Sequence, residues 1–318
     1  MLCLDSRRDP ARDTDEARQT DEAQVPPSRR RCLRSTPGRW ILGASLAAAG
    51  VSLGIASRHR HERVAENLAR DLERQAAAET QPDTFHPSMT DGLPAPARRY
   101  LRRTFAPGAP LHRSVRLSMQ GSIRLRPDGA ALPMKAEQVL APPHGFVWTA
   151  VAGTWRMWFR GFDRYGKGKG AMRWWLYGVL PVVSASGPDI TRSAAGRLGG
   201  EAVFVPALLL PATGAFWEAV DDDTARVTLS VGSEPVSSTL AVDSDGRLRS
   251  VTIRRWRSDG EKPGYDRFVV DRFGNERTVD GVTLPTRFRA GWRLGEPDAF
   301  PFFEACLDTI RFGASPTG

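Results

Sequence analysis

Apolar and polar residues alternate over much of the chain after residue 93, which is the pattern of β-strands with one buried face. Residues 225–231 place Ala, Val, Leu and Val on one side and Arg, Thr and Ser on the other, and residues 155–160 and 286–294 also alternate. Turn sequences such as Asp245-Gly246 separate these runs. We therefore predict an antiparallel sheet of about ten strands within residues 93–313, followed by a short tail over residues 314–318.

One stretch of this domain does not alternate. Residues 187–210 have a helical composition that is interrupted at Pro206. A helix between two blocks of strands can lie across the apolar face of a sheet, and a sheet of this size has to curl. The predicted fold is therefore mainly β (α+β): a large curled antiparallel sheet or half-barrel with helices on its concave side. The enclosed space either fills with side chains or holds a ligand.

The first hundred residues follow other patterns. Residues 1–39 are polar and rich in Arg, Asp and Pro, so we predict a disordered tail. Residues 40–57 form an uncharged run between two arginines, which predicts a single hydrophobic helix. Its 18 residues are at the lower limit for crossing a bilayer. The run is predicted to be a transmembrane anchor or an export signal, and a buried helix of a soluble domain is the alternative.

The segment that follows this run is predicted to be helical as well. Over residues 58–80, Val64, Leu68, Leu72 and Ala76 recur every four positions and form a narrow apolar stripe. We interpret this segment as an amphipathic stalk next to the membrane. Residues 81–92 contain two prolines and several turn formers, and we interpret them as a linker.

A short motif bears on localisation. Residues 28–34 (SRRRCLR) resemble a twin-arginine export signal, and Gly54-Ile55-Ala56 resembles a small-x-small cleavage site. Five arginines on each side of the apolar run leave its orientation open. The motif favours a cell-membrane location with the large domain in the periplasm, or export of the protein.

Composition adds mainly exclusions. The net charge of the 318-residue chain is +9, but 41 of its 45 basic residues are arginines spread over the whole sequence. In the strands they alternate with apolar residues, which is typical of the solvated side of a sheet, so we expect no nucleic-acid partner. Three cysteines and five histidines give no signal for a disulfide framework or a metal site, and we expect no cofactor.

Candidate binding residues come from the aromatic residues and from one polar group. Eight of the nine tryptophans lie after residue 93, and Trp174 and Trp175 must face opposite sides of a strand. Some aromatic side chains therefore line the second face, where they bind a ligand, pack or contact a partner. Asp163 and Tyr165 lie beside a glycine-rich turn and form the best polar cluster with Arg197 and Glu201, structural bonding being the alternative. The candidate ligand-binding residues are Trp148, Trp158, Asp163, Tyr165, Trp175, Arg197 and Trp217.

Catalytic signals are weak. The chain contains no Gly-x-Ser-x-Gly motif, and the predicted domain holds only His112 and His144 as partners for a nucleophile. We assign no catalytic residue.

Several short motifs, taken in order, resemble an uncharacterised bacterial family known only as a domain of unknown function. The resemblance covers roughly residues 92–313 and is carried by Leu93-Pro94, Phe146-x-Trp148-x-Ala150, Asp163-x-Tyr165-x-x-Gly168-x-Gly170-x-Met172, Pro206-Ala207-Leu208-Leu209, Asp243-x-Asp245-Gly246, Leu284-Pro285 and Trp292. It implies a curled antiparallel sheet with helices on the concave side, like the periplasmic lipoprotein-carrier fold, which holds acyl chains in a half-barrel. The chain departs from the family at residues 196–200, where a more continuous helix is expected.

These patterns lead to three hypotheses. The first is a non-enzymatic envelope protein that binds or carries an apolar ligand or lipid in a half-barrel cavity. The second is a structural or interaction module of the envelope, and a packed interior would favour it. The third is a hydrolase that uses Asp163, which would need a second carboxylate or a histidine nearby.

Overall fold

The computed structural model describes residues 37–78, 84–232, 234–258 and 263–313, with side chains from residue 48 onward. The chain divides into two compact units, residues 1–45 and residues 46–318. The described part of the first unit is the beginning of helix α1 (Pro37–Ala78). The twin-arginine-like segment, most of the predicted disordered tail and the last five residues lie outside the described residues.

Thirteen strands form one antiparallel sheet in the second unit. Their order is β6-β5-β4-β3-β2-β1-β13-β12-β11-β10-β9-β8-β7. Consecutive strands therefore pair except β6 and β7, which are the two edge strands, and β1 also pairs with β13. The prediction of a large curled antiparallel sheet with a few helices is confirmed. The strands are β1 (Val115–Ile123), β2 (Leu132–Ala141), β3 (Gly145–Gly153), β4 (Trp158–Gly166), β5 (Lys169–Leu176), β6 (Leu180–Ser186), β7 (Phe216–Ala219), β8 (Thr224–Val231), β9 (Glu234–Val242), β10 (Leu248–Arg257), β11 (Gly264–Val279), β12 (Val282–Trp292) and β13 (Phe300–Phe312).

The predicted strand over residues 155–160 is wrong in its first half. Gly153 has a φ of +127°, and the Thr154 N–H donates to the carbonyl of Met157 at 2.8 Å, so the chain turns here between β3 and β4. The turn leaves the Trp155 side chain 85% exposed. The six alternating residues therefore belong to two elements: residues 155–157 to the hairpin turn and residues 158–160 to the beginning of β4.

One face of the sheet, which we call the inner face, is covered mainly by one stretch between β6 and β7, and the helix Ala95–Thr104 packs on the same face against β7, β8, β9 and β12. This covering segment (residues 188–213) consists of helix α3 and three 3₁₀ turns. Helix α3 packs against β4 and β5 on one half of the sheet and against β8, β9 and β10 on the other, which requires the sheet to curl around it. The elements of the segment are α3 (Pro188–Gly200), Glu201–Phe204, Pro206–Leu209 and Pro211–Thr213.

Glycines allow α3 to approach the sheet closely. A methyl group at Gly199 would lie 2.4 Å from Val236 Cγ1, and one at Gly200 would lie 3.1 Å from Ile253 Cδ1. The stretch at which the chain departs from the family's expected helix is therefore still helical, and its glycines form the contact surface with β9 and β10.

The predicted linker over residues 81–92 is wrong for its described part, residues 84–92. Phe85 is buried and stacks on Phe105 with ring centroids 4.9 Å apart. The 3₁₀ turn Pro87–Thr90 follows it and packs on helix α2 (Ala95–Thr104). These residues belong to the folded domain because Phe85 supplies part of its apolar core.

The opposite, outer face of the sheet is partly covered by α1, which corrects the expectation of a stalk helix and of a sheet covered on one side only. Residues 58–78 form the continuous C-terminal part of α1. Three residues of their predicted apolar stripe, Leu68, Leu72 and Ala76, are buried, while the first, Val64, is exposed. The partners of these three residues on the outer face are Val139, Ala141, Val147, Phe162 and Trp175.

Among the described residues, no helix is long and apolar enough to cross a membrane.

Polar contacts fix the position of α1 on the sheet. The Arg116 guanidinium donates to both carboxylate oxygens of Glu73, at 2.9 and 3.0 Å, and Arg160 Nε donates to Glu62 at 2.7 Å. The helix therefore crosses the outer face obliquely, from the β4 side to the beginning of β1.

Leu72→Ala tests whether this docking contributes to the fold. Leu72 is 2% exposed, and its truncation leaves a cavity against β3, so we expect the free energy of unfolding to fall by about 2–5 kcal/mol. Val64→Ala on the same helix changes a side chain that is 46% exposed and should cost less than about 0.5 kcal/mol. Urea denaturation measures both values. Equal, negligible effects would show that α1 is an undocked stalk.

Candidate functional site

A buried polar cluster lies between α3 and the inner face of the sheet. At its centre, Arg197 of α3 donates from Nη1 to Asp163 Oδ2 at 3.2 Å and from Nε to Glu201 Oε1 at 2.8 Å. The side chains of Arg197 and Asp163 are 15% and 17% exposed. One guanidinium therefore joins a carboxylate of β4 to a carboxylate at the end of α3.

Two uncharged side chains complete the cluster. Trp174 Nε1 of β5 donates to Asp163 Oδ1 at 3.1 Å, and Gln138 Nε2 of β2 donates to Glu201 Oε2 at 2.7 Å. All four carboxylate oxygens thus accept a hydrogen bond. Satisfied partners are the condition under which buried carboxylates are tolerated.

Aromatic rings enclose the guanidinium of Arg197. Its Cζ atom lies 4.6 Å from the centroid of Phe146 and 5.1 Å from that of Trp148. Both rings belong to inward positions of β3, and cation–π attraction is stronger in such a dry site. Trp148 is 3% exposed, and its indole N–H has no hydrogen-bond partner within the described part of the chain.

Burial dominates the electrostatics of Asp163. Loss of hydration raises the pKa of this carboxyl group, and it outweighs the opposing effects of the Arg197 charge, the Trp174 hydrogen bond and the Arg255 charge. The carboxylate form is therefore less favourable in the folded protein than in the unfolded chain.

This arrangement favours a structural or binding role over hydrolysis. Both carboxylate oxygens of Asp163 accept hydrogen bonds, from Arg197 and from Trp174. Arg197 also donates to the neighbouring carboxylate of Glu201. His144 bonds to Gln75 of α1, and His112 stacks on Phe312. In the described ranges, no group of three or more His, Cys, Asp or Glu side chains is arranged to hold a metal ion.

The structure brings three of the seven predicted site residues together: Trp148, Asp163 and Arg197. Tyr165 and Trp217 share the inner face with them and are buried in the main core. Trp217 Nε1 donates to the carbonyl of Leu209 at 2.7 Å and so holds part of the covering segment.

The other two predicted site residues lie elsewhere. Trp175 is on the outer face beneath α1, with its ring centroid 6.2 Å from that of Phe162. Trp158 begins β4 and packs edge-on against Tyr177, with ring centroids 6.3 Å apart. Neither side chain reaches the polar cluster.

Sequence reasoning missed the roles of Gln138 and Trp174. A signal for Gln138 existed, because it is a polar residue between the inward positions Ala136 and Leu140 of an alternating strand. For Trp174 there was no such signal, since the sequence does not say which of two adjacent tryptophans points inward.

The outer face carries an open groove of about 680 Å³ along α1. Its lining mixes charges of both signs with polar and apolar side chains, including Glu62, Glu66, Lys135, Glu137 and Arg160. On the inner face, by contrast, the described side chains of the covering segment and the sheet form one packed core, which is the first of the two alternatives that the sequence left open.

The family model described as "Family of unknown function (DUF6544)" matches residues 83–305. The chain belongs to this family. The match begins just before Thr84 and so includes most of the predicted linker, while α1 lies outside it. No curated protein matches the chain.

Three solved structures are distantly similar, each with 12% sequence identity. A LolA superfamily protein from Nitrosomonas europaea has a TM-score of 0.34, over 64% of this chain and 86% of that one. A candidate outer membrane lipoprotein-sorting protein domain from Vibrio parahaemolyticus has a TM-score of 0.33, over 63% and 85%. A DUF1329 family protein from Desulfovibrio piger has a TM-score of 0.30, over 70% and 94%.

Because the pKa of Asp163 is raised, we predict that the free energy of unfolding depends on pH in a way that Asp163→Asn removes. A raised folded-state pKa means that the contribution of Asp163 to stability is present at low pH and is lost as the pH rises through that pKa. Between about pH 7.5 and about pH 4.5, the free energy of unfolding of the wild type should therefore rise relative to that of the Asn variant. Chemical denaturation at both values measures the difference.

A second variant tests the cause of this dependence. Trp174→Phe removes the hydrogen bond that favours the carboxylate, so it should enlarge the pH dependence. If the difference in free energy of unfolding between the wild type and Asp163→Asn stays constant with pH, burial does not raise the pKa of Asp163.

Proposed function

We propose that the protein is a non-enzymatic binder or carrier of an apolar ligand, with lipid as the ligand class, and that the ligand binds on the inner face of the curled sheet. The observation that carries this proposal is the way in which that face is covered. Apolar side chains of the sheet belong to one continuous core, and the covering segment, residues 188–213, fills the space in front of much of it, while α2 covers another part.

The second half of this segment is built to move more easily than a regular helix. Residues 201–213 form three short 3₁₀ turns, two of which begin at Pro206 and Pro211. Short 3₁₀ turns lack the i→i+4 ladder that makes an α-helix cooperative. Displacement of this part therefore costs few backbone hydrogen bonds.

The side chains that this part buries resemble an alkyl chain in chemistry. Phe204, Leu208, Leu209 and Leu210 are each at most 4% exposed. Apolar burial is non-directional and contributes about 25 cal/mol per Å². An acyl chain that takes their place restores the same apolar contact with the sheet. The free energy gained by burying the chain is then close to the free energy lost when the segment is exposed.

Residues 201–213 continue directly from the C-terminal end of α3. A reversible disulfide that ties α3 to β10 therefore limits how far they can move and tests this mode of binding. Gly196 and Arg255 face each other, and a Cβ atom at Gly196 would lie 3.8 Å from Arg255 Cβ, the mean separation in disulfides. In a chain whose three native cysteines are serine, Gly196→Cys with Arg255→Cys can be oxidised and reduced. We expect the reduced form to bind a fluorescent fatty acid and the oxidised form to bind it at least about tenfold more weakly, a difference of about 1.4 kcal/mol.

The reduced form is the matched control, because it carries the same substitutions. Native mass spectrometry of the wild type should also show co-purified lipid. If the oxidised and reduced forms bind equally, the ligand does not enter beneath α3. If neither form nor the wild type binds, the filled inner face favours the second candidate function, a structural or interaction module of the envelope.

We further propose that the large domain is exported, either on a membrane anchor or as a cleaved product. The uncharged run of residues 40–57 and the twin-arginine-like residues 28–34 support this location.

An alkaline phosphatase fusion after residue 84 tests export, since this enzyme is active only outside the cytoplasm, where its disulfides form. We expect activity, and we expect Arg29→Lys with Arg30→Lys to abolish it if the twin-arginine pathway is used. An inactive fusion at normal expression would place the domain in the cytoplasm, and unchanged activity in the double variant would point to another export route.

A further inference from the structure

Three hairpin turns project from the same end of the sheet. Residues 124–131 connect β1 to β2, residues 154–157 connect β3 to β4, and residues 177–179 connect β5 to β6. The register places them side by side, since Met134 pairs with Ala152 and Phe159 pairs with Leu176. We call this region, together with β6 and the part of α1 that passes it, the apolar end.

Exposed apolar side chains concentrate there. Of the fourteen large apolar side chains that the described residues expose, nine belong to the apolar end, and Trp155 is the most exposed of them at 85%. Such a concentration differs from the scattered apolar residues of an ordinary surface and marks an interaction site. The nine are Val51, Leu53, Leu125, Trp155, Met157, Tyr177, Leu180, Val182 and Val183.

Helix α1 joins this end to the uncharged run. A Cβ atom at Gly54 would lie 2.6 Å from the carbonyl oxygen of Val179, so the helix backbone passes directly against the β5–β6 turn. Val51 and Leu53 lie three residues and one residue before Gly54, within the uncharged residues 40–57. The most apolar stretch of the sequence is thus continuous with the exposed apolar end.

Arginines at the apolar end place positive charge beside the exposed apolar side chains. Arg124 and Arg126 flank Leu125, and the Arg156 guanidinium lies 4.9 Å from the ring centroid of Trp155. Among the described residues, no carboxylate lies within ion-pair distance of Arg124 or Arg156, while Arg126 is 4.0 Å from Asp128. Tryptophan and arginine together are typical of the membrane–water interface, where the ring lies among headgroups and the guanidinium binds phosphate.

The β3–β4 turn, which carries Trp155, Arg156 and Met157, is held by hydrogen bonds before any partner binds. Tyr177 Oη donates to the carbonyl of Arg156 at 2.7 Å, and the Tyr177 N–H donates to the carbonyl of Trp158 at 3.0 Å. The two turns therefore support each other, and docking orders little additional backbone.

We propose that the apolar end docks on an anionic lipid bilayer, with Leu125, Trp155 and Met157 inserted at headgroup depth and Arg124, Arg126 and Arg156 bound to lipid phosphates. This surface is distinct from the inner face, and its docking does not depend on a ligand there. The uncharged run and the unpaired arginines favour a bilayer over a protein partner or a second copy of the chain.

A depth-sensitive label distinguishes docking of the apolar end from binding through residues 40–57 alone. In the full chain with its three native cysteines changed to serine, Met157→Cys carries an environment-sensitive fluorophore, and Val220→Cys carries it in the control. The two side chains are 46% and 47% exposed, and Val220 follows β7 on the other edge of the sheet.

Vesicles of phosphatidylcholine with and without phosphatidylglycerol are the probes. We expect the label at position 157, but not the one at position 220, to shift to the blue and to be quenched by spin-labelled headgroups. Arg124→Gln with Arg126→Gln and Arg156→Gln should reduce the preference for anionic vesicles by roughly tenfold or more.

Three results would overturn the proposal. Vesicles that bind the protein without changing the label at position 157 would show attachment through the uncharged run alone. Equal changes at both positions would show nonspecific adsorption. A blue shift at position 157 that grows with protein concentration in the absence of lipid would show that a second copy of the chain covers this end.

Discussion

The apolar inner face of the sheet has to be shielded from water, and much of the architecture follows from this requirement. An antiparallel sheet with one apolar face is stable only when another layer covers it. Here most of that layer is one short segment, residues 188–213, with α2 beside it, so the sheet curls until strands from both of its halves contact α3. The glycines of α3 follow from the same requirement, because a side chain at Gly199 would overlap Val236 and hold the helix away from the sheet.

Apolar contact alone does not fix where the covering segment lies, since it has no direction. The polar cluster supplies that direction. Arg197 can satisfy Asp163 and Glu201 together only when α3 sits over β4 with its C-terminal end toward Gln138 of β2. A buried ion pair contributes little net stability, but leaving one of its charges unpaired costs several kcal/mol. The cluster therefore specifies one arrangement of the segment, and any ligand that displaces α3 has to break it.

The sequence predicted the parts of this fold that depend on local pattern. Alternation identified the sheet, its absence identified the covering segment, and residue chemistry singled out Asp163 and Arg197. The remaining features depend on long-range packing. Inward and outward positions could not be assigned for Trp174 and Trp175, where the pairing with β6 contains an irregularity. The stripe of Leu68, Leu72 and Ala76 has the same spacing whether it packs on this sheet or on a partner, so its contact with the outer face was missed. The outward apolar residues Val147, Phe162 and Trp175 were the complementary signal.

The apolar end combines arginines that lack a carboxylate partner with a concentration of exposed apolar side chains. Many arginines on the strands pair with carboxylates, as Arg289 does with Asp271 and Arg116 with Glu73, while others, such as Arg254 and Arg287, have no carboxylate partner among the described residues. Such pairs neutralise one another locally, so they add little to the field outside the protein. Arg124 and Arg156 have no such partner in the described part of the chain, and they lie beside the most exposed tryptophan. A net charge of +9 by itself fits nucleic acid, membrane or plain solubility equally well. Unpaired arginines next to exposed apolar side chains fit a lipid headgroup layer better than a nucleic acid, because a phosphate backbone offers no apolar phase in which Leu125 and Met157 can be buried.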